Sequence, residues 1–214
     1  MQNVSSAFSN QPHYICHSFV CANNSLNMSA GIPVLFCTYA SSENPGINCT
    51  IWQAARATSA MPKFFKAIKI VDQTYIDGGI GLNNPTQKLL EEAQHIFPNG
   101  HVSCIISIGT GKGNIIKLPK ASFIREAVHK IATDCEKEHQ KLVHRFRNNP
   151  SAYLRFNVEQ GLQNVSLSEW EKLANIEAHT NNYVQHEEVK RDLLLAVDAL
   201  CARANVVSTA LLSM

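Results

Sequence analysis

Five consecutive residues, Tyr75-Ile76-Asp77-Gly78-Gly79, constrain the fold of this chain more than any other stretch. Tyr75 and Ile76 favour an extended backbone. Gly78, Gly79 and Gly81 behind them admit backbone angles and close approaches that side chains forbid. Asn84 is a good helix N-cap, Pro85 suits the first helical position, and Gln87 completes an Asn-x-x-Gln variant of the capping box. The pattern predicts a strand that ends at a carboxylate, a turn without bulk, and a helix opening at Asn84. Open α/β sheets place working groups at such strand ends. Asp-Gly-Gly is also ordinary turn chemistry.

With 214 residues, 45% hydrophobic and 17% charged, the chain suits one globular domain with a sizeable core. A net charge of +2 supplies no strong field, so no nucleic-acid partner is expected. Cysteines 16, 21, 37, 49, 104, 135 and 201 form no Cys-x-x-Cys. Cys16, Cys21, Cys37 and Cys104 lie in apolar runs, which predicts buried, reduced thiols. His139 and His144 are five apart and no His-Glu-x-x-His occurs, so neither a metal site nor a cofactor is expected. Residues 1–12 are polar, without the apolar core of a secretory signal, and no run reaches membrane-spanning length. A cytoplasmic protein without a transmembrane segment is expected, and the Asn-x-Ser/Thr matches at Asn3, Asn23, Asn27, Asn48 and Asn164 are read as chance.

Apolar, β-branched runs predict strands at residues 14–22, 32–39 and 102–108, the latter two buried on both faces. Residues 153–158 alternate and predict a late, edge-like strand. Thr50 and Gln53 form a capping box that opens a helix ended by Pro62, with Ile51, Ala54, Ala55 and Thr58 on one face. Further helices are expected from Pro85, over 122–147, from a Ser168/Glu171 capping box, and over 185–203, where Leu193, Leu194, Val197 and Leu200 are the apolar positions. The run Gly109-Thr110-Gly111-Lys112-Gly113 invites a phosphate-loop reading and fails it. Ile106 stands where a Walker loop needs its first Gly, and Gly113 follows Lys112. A flexible exit from a strand is expected instead.

Taken together and in order, residues 51–62 (IWQAARATSAMP), Tyr75 to Gly79, Asn83-Asn84-Pro85, and residues 107–111 (SIGTG) resemble a patatin-like phospholipase domain. Residues 151–185 are similar to its later part, in the style of calcium-independent phospholipases A2 and fungal patatin-like proteins. The resemblance implies an α/β fold, a three-layer sandwich with a mostly parallel central sheet. It implies hydrolysis of lipid acyl esters by a Ser-Asp dyad without His, acting at a lipid or phospholipid surface. In that scheme Asp77 is the general base, Gly78 and Gly79 belong to its motif, and backbone N–H groups hold the oxyanion.

No Gly in the sequence is followed by Ser at two and Gly at four, so the nucleophile elbow of that family does not occur in these 214 residues. Neither Ser59, in the Ala-rich helix end, nor Ser107, in an apolar strand, is expected to replace it. The expected organisation is a disordered leader over 1–13, a partial domain over 14–190 that lacks the first strand and elbow helix, and a C-terminal helix and tail over 191–214. Two functions follow. The chain is the C-terminal part of a lipid acyl hydrolase that is inactive without its N-terminal half, or it is a non-catalytic lipid- or protein-binding module. Either would be cytoplasmic and peripheral to membranes.

Overall fold

The computed structural model describes residues 16–28, 32–40, 46–117, 120, 122, 124–166, 168–202 and 207–212. The expected leader over 1–13 lies outside them. The chain divides into two compact units, residues 1–83 with 122–133, and residues 84–121 with 134–214.

The first unit is built on a four-stranded sheet. Its strands are β1 (Phe19–Asn24), β2 (Val34–Cys37), β3 (Ile68–Ile70) and β4 (Gln73–Asp77), in the order β2-β1-β4-β3. Every pairing in it is antiparallel. This corrects the mostly parallel sheet expected from the sequence. The turn of two residues between β3 and β4 leaves no room for the crossover that parallel strands require. Val71 in that turn adopts φ 54°, an outlying region for a β-branched residue. β2 is an edge strand of this sheet, yet its neighbours Leu35 and Phe36, which point to opposite faces, are both buried.

Helix α1 (Ile51–Thr58) opens as the capping box predicts, with Gln53 Oε1 accepting from the Thr50 N–H at 2.8 Å and from its hydroxyl at 3.0 Å. Its buried face is not the expected one. Ala54 and Ala57 are buried, while Ile51 and Ala55 are exposed. Small side chains let the helix lie close to the sheet, and the Thr58 hydroxyl donates to the Cys21 carbonyl at 2.7 Å. Ala22, Phe36, Cys49, Ala54, Ala57, Ile70 and Tyr75 form the core, with Phe36 and Tyr75 edge to face at 5.1 Å. α2 (Gly79–Leu82) and α4 (Ile124–Ala132) complete the unit.

The second unit holds α3 (Thr86–Ile96), β5 (His101–Val102), β6 (Ile105–Ile108), α5 (Glu136–Arg145), β7 (Tyr153–Phe156), α6 (Leu173–Val184), α7 (Glu187–Ala202) and β8 (Val207–Ser208). β6 and β7 are parallel and β5 and β8 antiparallel. The single strand expected over 102–108 is therefore two, with different partners. Ile108 at its end is 79% exposed, so that end is not buried on both faces. Leu90, Ile105, Leu142, Phe146, Ala152, Tyr153 and Leu212 make this core.

The polar helix expected over 122–147 breaks into α4 and α5. Asp134 Oδ1 accepts the Glu136 N–H at 3.0 Å and restarts the chain as α5. The second expected capping box does not form: Glu169 accepts the Ser166 N–H at 2.6 Å, and its own N–H donates to the Ser166 carbonyl at 3.1 Å and not to a serine hydroxyl. α7 runs across the boundary expected at 190–191. It buries Val189 and Ala196 and leaves Leu194, Val197 and Leu200 exposed. Among the cysteines, Cys21 and Cys49 are buried, whereas Cys16 is exposed because it precedes β1 instead of lying within it. Among the described residues no helix is long and apolar enough to cross a membrane.

Candidate functional site

Asp77 is the last residue of β4, as the sequence predicts, and lies opposite Ala22 of β1. Its backbone N–H donates to the Ala60 carbonyl at 3.2 Å, which ties the strand end to the exit of α1. The half-buried side chain turns back on its own chain. Oδ1 accepts the Gly79 N–H at 2.7 Å, while Oδ2 accepts no hydrogen bond among the described residues. One carboxylate oxygen is thus pinned and the other is left with its lone pairs, the arrangement a proton acceptor needs.

The two glycines are explained by close approach. A Cβ on Gly78 would stand 2.5 Å from the Cys21 carbonyl oxygen, the atom that also takes the Thr58 hydroxyl. One on Gly79 would stand 3.1 Å from Asp77 Oδ1. The short α2 that follows is kinked, with Ile80 at ψ 97° and Gly81 at φ 93°. Asn23, which in the sequence stands out only as a chance glycosylation match, holds this turn. Its Nδ2 donates to the Asp77 carbonyl at 3.0 Å and to the Ile80 carbonyl at 2.9 Å. Nothing in the local sequence signals the role, because the partners lie 54 and 57 residues away.

Neither serine considered in the sequence meets Asp77 in a hydrogen bond. Ser59 donates back to the Ala55 carbonyl of its own helix at 2.8 Å. Ser107 belongs to the other unit, is buried, and accepts from Arg155 Nη1 at 2.7 Å and from the Thr86 hydroxyl at 3.2 Å.

The later motif blocks form a separate polar network in the second unit. Asn84 Oδ1 accepts from the Thr86 N–H at 3.2 Å and hydroxyl at 2.6 Å, an Asx turn that leads into α3, whose N-cap position falls on Pro85 and not on Asn84 as expected. Gln87 does not close the predicted box. It donates to Glu91 at 3.3 Å and accepts from Arg145 at 3.0 Å. Arg155, opposite Ser107 on β7, also donates to the Cys135 thiol at 3.3 Å. Asn157 Oδ1 takes the Gly111 N–H at 2.8 Å, and a Cβ on Gly109 would lie 2.4 Å from that same oxygen. The Gly109-to-Gly113 loop is therefore fastened by a side chain at Gly111. Burial pushes the Cys135 thiol above its usual range, opposed by the Arg155 charge. Burial also pushes His139 below its usual range; Glu136 opposes this and Arg155 and Lys112 add to it. His139 Nδ1 lies 3.1 Å from the Tyr153 hydroxyl. Among the described residues no group of three or more His, Cys, Asp or Glu could hold a metal ion.

Residues 24–90 match the model of a family described as patatin-like phospholipase. Calcium-independent phospholipase A2-gamma of Homo sapiens is 31% identical over 161 residues, covering 68% of this chain and 20% of the relative. The protein of the same name from Oryctolagus cuniculus is 30% identical over 152 residues, covering 68% of this chain and 19% of the relative. An Arabidopsis thaliana relative named "Probable inactive patatin-like protein 9" is 30% identical over 105 residues, 44% of this chain and 27% of its own. The chain spans about a fifth of the length of the phospholipases it matches. The stretch that matches the patatin-like phospholipase family, residues 24–90, takes in Asp77, Gly78 and Gly79.

Proposed function

We propose that this chain carries the proton-accepting half of a Ser-Asp dyad for hydrolysis of lipid acyl esters, with Asp77 as general base. The observation that supports the reading most is the state of that carboxylate. It stands at a strand end, one oxygen is fixed by Gly79, and the other is without a hydrogen bond among the described residues. Attack on an ester needs a hydroxyl whose proton such an oxygen can take and return to the leaving alcohol.

These 214 residues contain no Gly-x-Ser-x-Gly, so the attacking hydroxyl is supplied by sequence other than this. On this reading residues 14–190 are the patatin-like portion, and the substrate is a lipid or phospholipid met at a cytoplasmic membrane surface. The loss of a nucleophile costs about six orders of magnitude in a serine hydrolase taken apart by mutation. The 214-residue chain is therefore expected to give no turnover of a nitrophenyl ester. A fluorophosphonate probe, which labels activated serines, is expected to leave it unlabelled. Labelling at Ser59 or Ser107 would overturn the reading.

A second reading, a non-catalytic module that binds lipid or protein, is favoured by the similarity to a relative whose name calls it inactive. Co-sedimentation with phospholipid vesicles, together with failure to gain turnover when a Gly-x-Ser-x-Gly segment is supplied, would select it.

A further inference from the structure

The second unit contains a cavity of about 400 Å³ that the Asp77 reading does not use. It lies among α5, β7 and α7, and its lining is divided by chemistry. Val143, Pro150 and Leu195 give it an apolar side, Arg155 and Arg191 give it two cations, and Asp192 gives it one carboxylate, so the lining keeps a net positive charge. Arg155 is half-buried and forms no ion pair with a carboxylate among the described residues. Its hydrogen bonds go to a hydroxyl and a thiol, and its Nε is buried without a partner. Nearby Glu136 is engaged by Asn157 at 3.2 Å and the Cys135 thiol at 3.8 Å. Among the described residues Arg191 pairs with its chain neighbour Asp192, at 3.3 Å, and it remains largely exposed. Taking a guanidinium out of water without a counter-charge is costly. An incoming anion beside Arg155 removes that cost.

We propose that this cavity binds an alkyl chain with one anionic head, the head against Arg155 and Arg191 and the chain along Val143, Pro150 and Leu195. A volume of about 400 Å³ lies within the ordinary range for a small-molecule site. A fatty carboxylate and an alkyl phosphate share this chemistry. Arginine takes either through paired N–H donors.

Isothermal titration of the 214-residue chain with laurate, dodecyl phosphate, dodecanol and inorganic phosphate tests this. Laurate or dodecyl phosphate is expected to saturate one site, with dodecanol and inorganic phosphate at least about tenfold weaker. The tighter of the two amphiphiles identifies the source, fatty acid or phosphate-bearing lipid. Leu195→Asp and Arg191→Gln, both at exposed positions, are each expected to weaken that ligand severalfold, which keeps the test open should Arg155→Gln fail to fold. Equal binding of dodecanol, no saturable binding, or indifference to Leu195→Asp would overturn the proposal. The site does not depend on the dyad, so Asp77→Asn leaves the titration unchanged, and a shift there would also count against it.

Discussion

The side-chain amide of Asn23 on β1 donates to the carbonyl of Asp77 at 3.0 Å and to that of Ile80 at 2.9 Å, clamping the turn that carries the carboxylate. Asn23→Ala is expected to lose both bonds and leave two partly buried carbonyls without that donor. The cost should be about 1–3 kcal/mol, read as a lower urea midpoint. Asn23→Asp, which cannot donate, should behave like the alanine variant. Unchanged stability in both would remove Asn23 from the site's support.

The glycines of the motif separate by cause. Gly78→Ala brings its Cβ to 2.5 Å from the Cys21 carbonyl oxygen, a backbone atom that cannot swing aside, and is expected to cost about 2 kcal/mol or more. Gly81 has open space around it and φ 93°, so Gly81→Ala should cost about 1 kcal/mol through the backbone alone. Thermal unfolding of the two variants, compared with the parent, should rank them in that order.

Val71 offers the reverse test. It turns the β3–β4 hairpin at φ 54° while 69% exposed, so its side chain contributes little to packing. Val71→Gly or Val71→Asn should raise stability by about 1 kcal/mol, since both residues enter that region readily. A loss of stability would show that the valine side chain matters in a way its exposure does not suggest.

His139 should make the fold sensitive to acid. Its imidazole is held below the ordinary value of 6.5, first by burial and then by the Arg155 and Lys112 charges, with Glu136 opposing. The unfolded chain therefore binds the proton more readily than the folded one. Stability is full above about pH 6.5 and falls as pH drops through and below that value. His139→Gln keeps a hydrogen-bonding partner for Tyr153 and removes the titration. The slope of the urea midpoint between pH 7 and 5 should flatten in that variant.

Much of the first unit is legible from sequence because its signals are local. The strand ending at Asp77 announces itself by an aromatic and β-branched run broken by glycine, and α1 by Thr50 and Gln53. Sheet direction is not local. Five residues of β4 fit a parallel or an antiparallel partner equally well, and the turn at Val71 and Asp72 decides the matter on one side. The clamp by Asn23 and the role of Arg155 depend on partners 20 or more residues away, which no spacing rule captures. The pairing of Glu169 with Ser166, where the sequence predicts Ser168 with Glu171, has a different origin. Two overlapping Ser-x-x-Glu frames fit the same run, and only the backbone path selects one.

The most direct test of the dyad reading supplies the missing hydroxyl and then removes the base. The chain is fused behind a Gly-x-Ser-x-Gly segment of a patatin-like relative, and initial rates are taken on nitrophenyl butyrate for the fusion and for its Asp77→Asn form. The account predicts turnover in the first and a loss of about 10⁴-fold in the second, the scale seen when the acid of a serine hydrolase is removed. Turnover that survives Asp77→Asn within a factor of about ten would contradict it.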